Sequence, residues 1–166
     1  MYGDSYPSSI DRKSSCGYNY YPPIGWHSFA LKVNHYESDL GWLKNDKWAT
    51  AFHCVRSPGK IHSDGKTTVR KILLEGLKPG PRQAHQDDDD NAVQGGKVET
   101  GVYFSPKITS YDGFAGGFTY EGKQYKLGFL CRINPKEIRI PESELDYWVV
   151  PNTRDIRPYK IIVKEF

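Results

Sequence analysis

Three short strings hold the residues whose types could do chemistry: Ala51-Phe52-His53-Cys54-Val55, Gly101-Val102-Tyr103-Phe104-Ser105-Pro106 and Asp146-Tyr147-Trp148-Val149-Val150-Pro151. An imidazole, then an aromatic ring, then a carboxylate, in that order, suggest a site that splits NAD. Breaking the bond between nicotinamide and ribose passes through an oxocarbenium-like transition state, which calls for a carboxylate near the ribose. Asp146 is the candidate. The departing nicotinamide is a flat ring with a carboxamide, so it suits an aromatic wall and the N–H and C=O groups of a strand edge. Tyr103 and Phe114 are the candidate walls, and the Cys54 backbone is the candidate edge. His53 is placed to hydrogen-bond a ribose hydroxyl, which positions it without moving a proton. Taken singly, each residue also suits a plain structural role. A histidine in an apolar strand is often a hydrogen-bonded core residue, Tyr103 is an ordinary strand aromatic, and Asp146 could cap a strand entrance. Glu142 and Glu144 lie close enough to Asp146 to compete for its role.

Elements must deliver these residues to one place. Residues 48–55 read as the first core strand, broken by Ser57-Pro58-Gly59 and turned by Asp64-Gly65. A helix is predicted over 67–77 with Thr67 as its cap. Val69, Ile72, Leu73 and Leu77 form its apolar stripe, Arg70, Lys71 and Glu75 face away, and Gly76 ends it. A long loop then has to run from Pro79-Gly80-Pro81 to Gly101, and loops of that length are usually functional or disordered. The second half is strand-rich, with strands expected at 101–105, 118–120, 124–133, 136–140, 147–150 and 159–164 and a hairpin tip at Glu121-Gly122. A short helix over 108–115 would fold Phe114 back beside Tyr103. Residues 29–33 fit either a strand or a helical turn. Residues 1–23, rich in Tyr, Ser, Gly and Pro, read as a loosely held arm before a domain spanning 24–166. Strands gathered around one or two helices predict an α+β domain of two packed, mostly antiparallel sheets forming a cleft. The Gly-rich dinucleotide loop of a Rossmann fold is absent.

In these motifs the chain resembles ADP-ribosyltransferases of the His-Tyr-Glu class, to which diphtheria toxin and the poly-ADP-ribose polymerases belong. His53-Cys54-Val55 stands where the class has His-Gly-Thr or His-Gly-Ser. The turn Glu75-Gly76-Leu77 and the strand Gly101-Val102-Tyr103-Phe104 match the next two class features, and Asp146-Tyr147 matches the late Glu-Tyr pair. A closer similarity, over roughly residues 25–166, is to a subfamily found in fungi and in the tail of neuralized-like proteins. It rests on Gly25-Trp26, Phe29-Ala30-Leu31-Lys32-Val33, Cys131-Arg132-Ile133-Asn134-Pro135, Tyr147-Trp148-Val149-Val150-Pro151 and Asp155-Ile156-Arg157-Pro158-Tyr159. That subfamily is related to a bacterial secreted effector that attaches ADP-ribose to a threonine of ubiquitin.

The resemblance implies an ADP-ribosyltransferase-like fold, NAD as substrate and ubiquitin as the first acceptor to test. It also implies His53 on the adenosine ribose, with Arg82, Gln83 and His85 facing the pyrophosphate or the acceptor. Two positions depart from the class. Cys54 replaces a glycine at a point of close ligand approach, and Asp146 is one methylene shorter than glutamate. A misplacement of about 1 Å can cost on the order of a hundredfold in rate. A catalytically inactive NAD- or ubiquitin-binding module of the same fold is therefore the alternative. A third reading is action on RNA ends, as in the tRNA 2′-phosphotransferases, but that calls for a more basic site than this balanced sequence offers.

Composition bounds these readings. The chain has 166 residues, 37% hydrophobic and 14% aromatic, enough for one core without crosslinks. Its net charge of +3 is dispersed, so neither a nucleic-acid nor a membrane surface is announced, and a monomer is expected. Cys16, Cys54 and Cys131 are odd in number and lack metal spacing, and no stretch resembles a signal core or a membrane span. A cytosolic or nuclear setting is the default, with secretion as an effector left open. Residues 87–90 are four consecutive aspartates that lack the glycine and terminal glutamate of a calcium loop, and they read as a solvated tip able to meet a basic partner face. A chain closing on a strand at Phe166 fits a trimmed or C-terminal domain.

Overall fold

In the computed structural model the described residues are 13–36, 40–44, 46–55, 65–79, 100–111, 117–141 and 147–165. The chain opens on a hairpin, β1 (Lys13–Ser15) and β2 (Tyr18–Tyr20), closed by Cys16 and Gly17 with φ of 54° and 80°. Two successive positive φ values are what a tight hairpin needs to match strand twist. There follow β3 (His27–Ala30), β4 (Ala49–Cys54), the helix α1 (Gly65–Glu75), β5 (Val102–Phe104), β6 (Gly117–Tyr120), β7 (Lys123–Ile133), β8 (Trp148–Val150) and β9 (Ile156–Glu165). The result is an α+β structure with antiparallel strand pairing throughout the described sheets.

β7 is the axis of the five-stranded sheet, whose order is β3-β9-β7-β4. Along one edge of β7, β6 pairs with residues 123–126 and β4 with residues 128–133, while β9 runs along the other edge. Residues 127–133 of β7 are all buried, so this strand is covered on both faces, and its mostly apolar sequence is interrupted only by Arg132. Ala49, Ala51, Phe129, Cys131 and Ile133 face the main core, which they share with Val102, Phe104, Trp148 and Val150 of the β5–β8 pair. Phe52, Cys54, Leu130, Ile162 and Ile108 form a second cluster on the opposite face. Alternation along β4 sends odd residues to the first and even residues to the second.

Several sequence expectations change here for identifiable reasons. Residues 13–20 of the expected arm form the first hairpin, and Tyr18 packs on the main core while Tyr20 packs on the second cluster. Aromatic burial offsets ordering cost where aliphatic residues are lacking. Residues 29–33 resolve toward a strand, since β3 pairs with β9 from His27 to Ala30. Helix α1 begins at Gly65, which places Thr67 in the first turn rather than at the cap. Val69 and Leu77 are buried and Ile72 packs against the core, but Leu73 is 45% exposed. The helix presents its Val69–Ile72 side, which rotates Leu73 toward the rim. Gly76 ends it at φ 78°, with its N–H donating to the Ile72 carbonyl at 2.9 Å.

The strand expected over 136–140 is replaced by a 3-10 turn, Pro135–Glu137, followed by one bridge from Arg139 to Val149. Asn134 caps the turn by accepting from the Lys136 N–H at 3.3 Å, and Pro135 presets the backbone. β9 starts at Ile156 rather than 159, because the ladder tolerates Pro158 beside a bulge at Leu130/Cys131. The Glu121-Gly122 tip is a hairpin turn, with φ of 49° and 76°. The expected 108–115 helix is a 3-10 turn at Ile108–Tyr111, and the rest of that segment, including Phe114, lies outside the described residues.

Candidate functional site

Three strands far apart in sequence stand side by side. β4, which bears His53, meets β5, which bears Tyr103, through one bridge from Phe52 to Ser105, and β5 pairs in turn with β8. At the bridge the Phe52 N–H donates to the Ser105 carbonyl at 2.8 Å, and the Ser105 N–H donates back at 3.1 Å. That bridge is isolated rather than part of a ladder, and this junction of β4 with β5 is the fork. β8 lies along β5 with Trp148 opposite Phe104 and Val149 opposite Tyr103.

His53 sits in that fork. It is half-buried, its Nδ1–H donates to the Tyr103 carbonyl at 3.0 Å, and its ring lies 5.7 Å from that of Phe104. A carbonyl only accepts, so this bond fixes the tautomer and makes Nε2 the acceptor nitrogen of the neutral ring. Burial pushes the imidazole pKa below its ordinary value, while the bond to the Tyr103 carbonyl pulls weakly the other way. The arrangement suits a neutral hydrogen-bonding group that receives a hydroxyl proton donor. The structure thus brings the His53 ring beside the backbone of Tyr103.

Cys54 is placed differently from the simplest expectation. Its side chain lies on the face opposite His53, buried with Phe52, Ile108, Leu130 and Ile162, so its sulfur is turned away from the fork. Gly128 makes room for it. A Cβ there would stand 3.3 Å from the Cys54 sulfur and 3.2 Å from the His53 carbonyl. Phe52 directs its backbone groups toward β5, and the same alternation two residues on directs the N–H and C=O of Cys54 to that side. The glycine of Gly101-Val102-Tyr103-Phe104 is likewise a packing requirement, because a Cβ would meet Val149 Cγ1 at 2.5 Å and the Val150 carbonyl at 3.0 Å.

Asp146, Glu142, Glu144, Phe114, Arg82, Gln83, His85 and the acidic run 87–90 lie outside the described residues. Tyr147, next to Asp146, is half-buried against the second cluster, and Trp148 is buried in the main core. Among the described residues no three His, Cys, Asp or Glu side chains gather as a metal site, and no helix is long and apolar enough to cross a membrane.

No family model and no curated protein matches the chain. Its site is therefore argued from its own residues. One group that sequence reasoning passed over is a cage of Tyr36, Trp42 and Trp48, whose rings lie 5.8, 5.1 and 4.3 Å from the Arg157 guanidinium. Arg132 stands beside it, donating to the Leu43 carbonyl at 2.7 Å, to the Trp48 carbonyl at 3.2 Å and to the Thr50 hydroxyl. Arg157 already fills the cage, which makes it a structural knot at the start of β4. The clustered tryptophans at 42 and 48 were the only sequence signal for it.

Proposed function

We propose that the chain is a mono-ADP-ribosyltransferase that moves ADP-ribose from NAD to a protein hydroxyl, with a threonine of ubiquitin as the acceptor. The observation that carries this reading is the fork, in which the His53 strand, the Tyr103 strand and the strand following Asp146 are consecutive neighbours. In this reading the fold is ADP-ribosyltransferase-like and NAD lies in the opening between β4 and β5. Nε2 of His53 accepts from a hydroxyl of the adenosine ribose. Tyr103 and Phe114 flank nicotinamide, whose carboxamide meets the Cys54 backbone, and Arg82 is directed at the pyrophosphate. Asp146 stabilises positive charge on the ribose as nicotinamide leaves with the bonding electron pair. The acceptor hydroxyl then forms the new bond to the anomeric carbon and releases its proton to water.

The test is the intact mass of ubiquitin after incubation with NAD and the protein. A gain of one ADP-ribose unit that disappears with Asp146→Asn supports transfer to ubiquitin. Nicotinamide release over unmodified ubiquitin points to another acceptor or to hydrolysis. An absence of turnover favours the second reading, an inactive NAD- or ubiquitin-binding module. The specific observation on that side is that Asp146 is one methylene shorter than the class glutamate.

A further inference from the structure

We infer that the first hairpin is a brace for the fork, with Tyr18 and Tyr20 as positioning residues that hold β4, β5 and β8 in the arrangement His53 requires. The three-residue strand β2 reaches β4 and β8, and the residue after it reaches the segment that follows β5. The Tyr20 ring stacks on Phe52 at 5.6 Å and 27°, and Phe52 is both the bridge residue and the neighbour of His53. Tyr18 packs edge-on against Trp148 at 4.9 Å, and its hydroxyl donates to the Pro135 carbonyl at 3.3 Å. The next residue grips the other side of the bridge, since the Tyr21 N–H donates to the Pro106 carbonyl at 3.1 Å and Lys107 Nζ lies 5.3 Å over the Tyr21 ring. Cys16 ties the turn to the body through its thiol, which donates to the Lys47 carbonyl at 3.4 Å.

The mechanics follow from the weakness of the joint. β4 and β5 meet at an isolated bridge pair rather than along a ladder, so their own pairing fixes the register there less firmly than a ladder would. The His53–Tyr103 bond joins the two strands just beyond that joint, and a hydrogen bond weakens steeply with misalignment. Aromatic contacts on both flanks of the joint resist that motion, because each ring pair has a preferred geometry. The consequence for catalysis rests on the proposed function, whereas the bracing itself does not.

Nitrogen-labelled histidine distinguishes the two. The Nδ1–H signal of His53, assigned by its loss in His53→Gln, is expected in the wild-type protein, in Tyr18→Phe and in Tyr20→Phe, which keep the rings. It is expected to vanish or broaden in Tyr18→Ala/Tyr20→Ala at unchanged far-ultraviolet circular dichroism. If that pair does not fold, Tyr18→Leu/Tyr20→Leu, which keeps apolar bulk without a planar ring, is read in the same way. A signal that persists in the folded double variant overturns the brace, and so does a wild-type protein that lacks it. Where the wild-type protein transfers ADP-ribose, the double variant should lose on the order of ten- to a hundredfold in kcat/KM for NAD, and the phenylalanine variants little. A wild-type protein without turnover removes the proposed function and leaves the spectroscopic result to decide the brace.

Discussion

His53 is held in a defined protonation and tautomeric state by a carbonyl 3.0 Å away and by burial. On the proposed reading its replacement by alanine removes one ground-state contact to the ribose, worth about 1 kcal/mol, so NAD affinity should fall on the order of five- to tenfold, measurable by calorimetry. Unchanged affinity would return His53 to a purely structural role. Asp146→Asn should act in the opposite part of the cycle. It keeps shape and removes charge that matters mainly in the transition state, so turnover should drop at least on the order of a hundredfold while NAD binding changes little. The depressed His53 value also has a consequence for stability, with a fixed sign. The unfolded imidazole takes up its proton near the ordinary value of about 6.5, before the native one does, so acidification through that value favours unfolding and the loss levels off below the native value. Urea midpoints measured between roughly pH 7 and pH 5.5 should therefore fall, and His53→Gln should flatten that slope.

At the scale of elements, close backbone approach decides what substitutions cost. Gly101→Ala would drive a methyl group to 2.5 Å from Val149 Cγ1 and 3.0 Å from the Val150 carbonyl, directly at the β5–β8 seam. A loss of about 1–3 kcal/mol in urea unfolding is expected, as for overpacked cores. Gly76→Ala meets open space, so its cost comes only from φ 78° and should be near 1 kcal/mol. A larger loss at 76 than at 101 would contradict this ordering. The Cys54–Gly128 pair shows the same logic across strands, since a sulfur on β4 lies against a residue of β7 that has no side chain.

For the whole molecule, β7 ties both clusters into one packed unit, and its Phe129 is fully buried. Phe129→Ala should cost about 3–5 kcal/mol. Tryptophan fluorescence and circular dichroism should lose their signals together in urea, because Trp148 of the β5–β8 pair and Trp42, which lies against Arg157 of the five-stranded sheet, are both buried. Separate transitions by the two probes would mean that the β5–β8 pair unfolds apart from the five-stranded sheet.

Local periodicity was enough to read strand β4, helix α1, its Gly76 stop, the Glu121-Gly122 turn and the strand-rich second half, because these depend on neighbours within a few residues. His53 and Tyr103 stood out by their residue types and by the resemblance, and the fold sets the His53 ring against the Tyr103 backbone carbonyl. Periodicity misjudged the segments where a nearby proline or a scarcity of aliphatic residues pointed one way and distant partners pointed the other. Pro158 sits inside β9 because a bulge accommodates it, and residues 13–20 form a hairpin whose tyrosines meet Phe52 and Trp148. The face taken by Cys54 needed the Gly128 register, and the fork needed a bridge between residues 52 and 105. Sequence by itself thus determined which short elements form and which side chains are chemically able. Only the tertiary structure decided their juxtaposition, because contacts between residues separated by fifty or a hundred positions depend on strand register and on the fit of side chains across it.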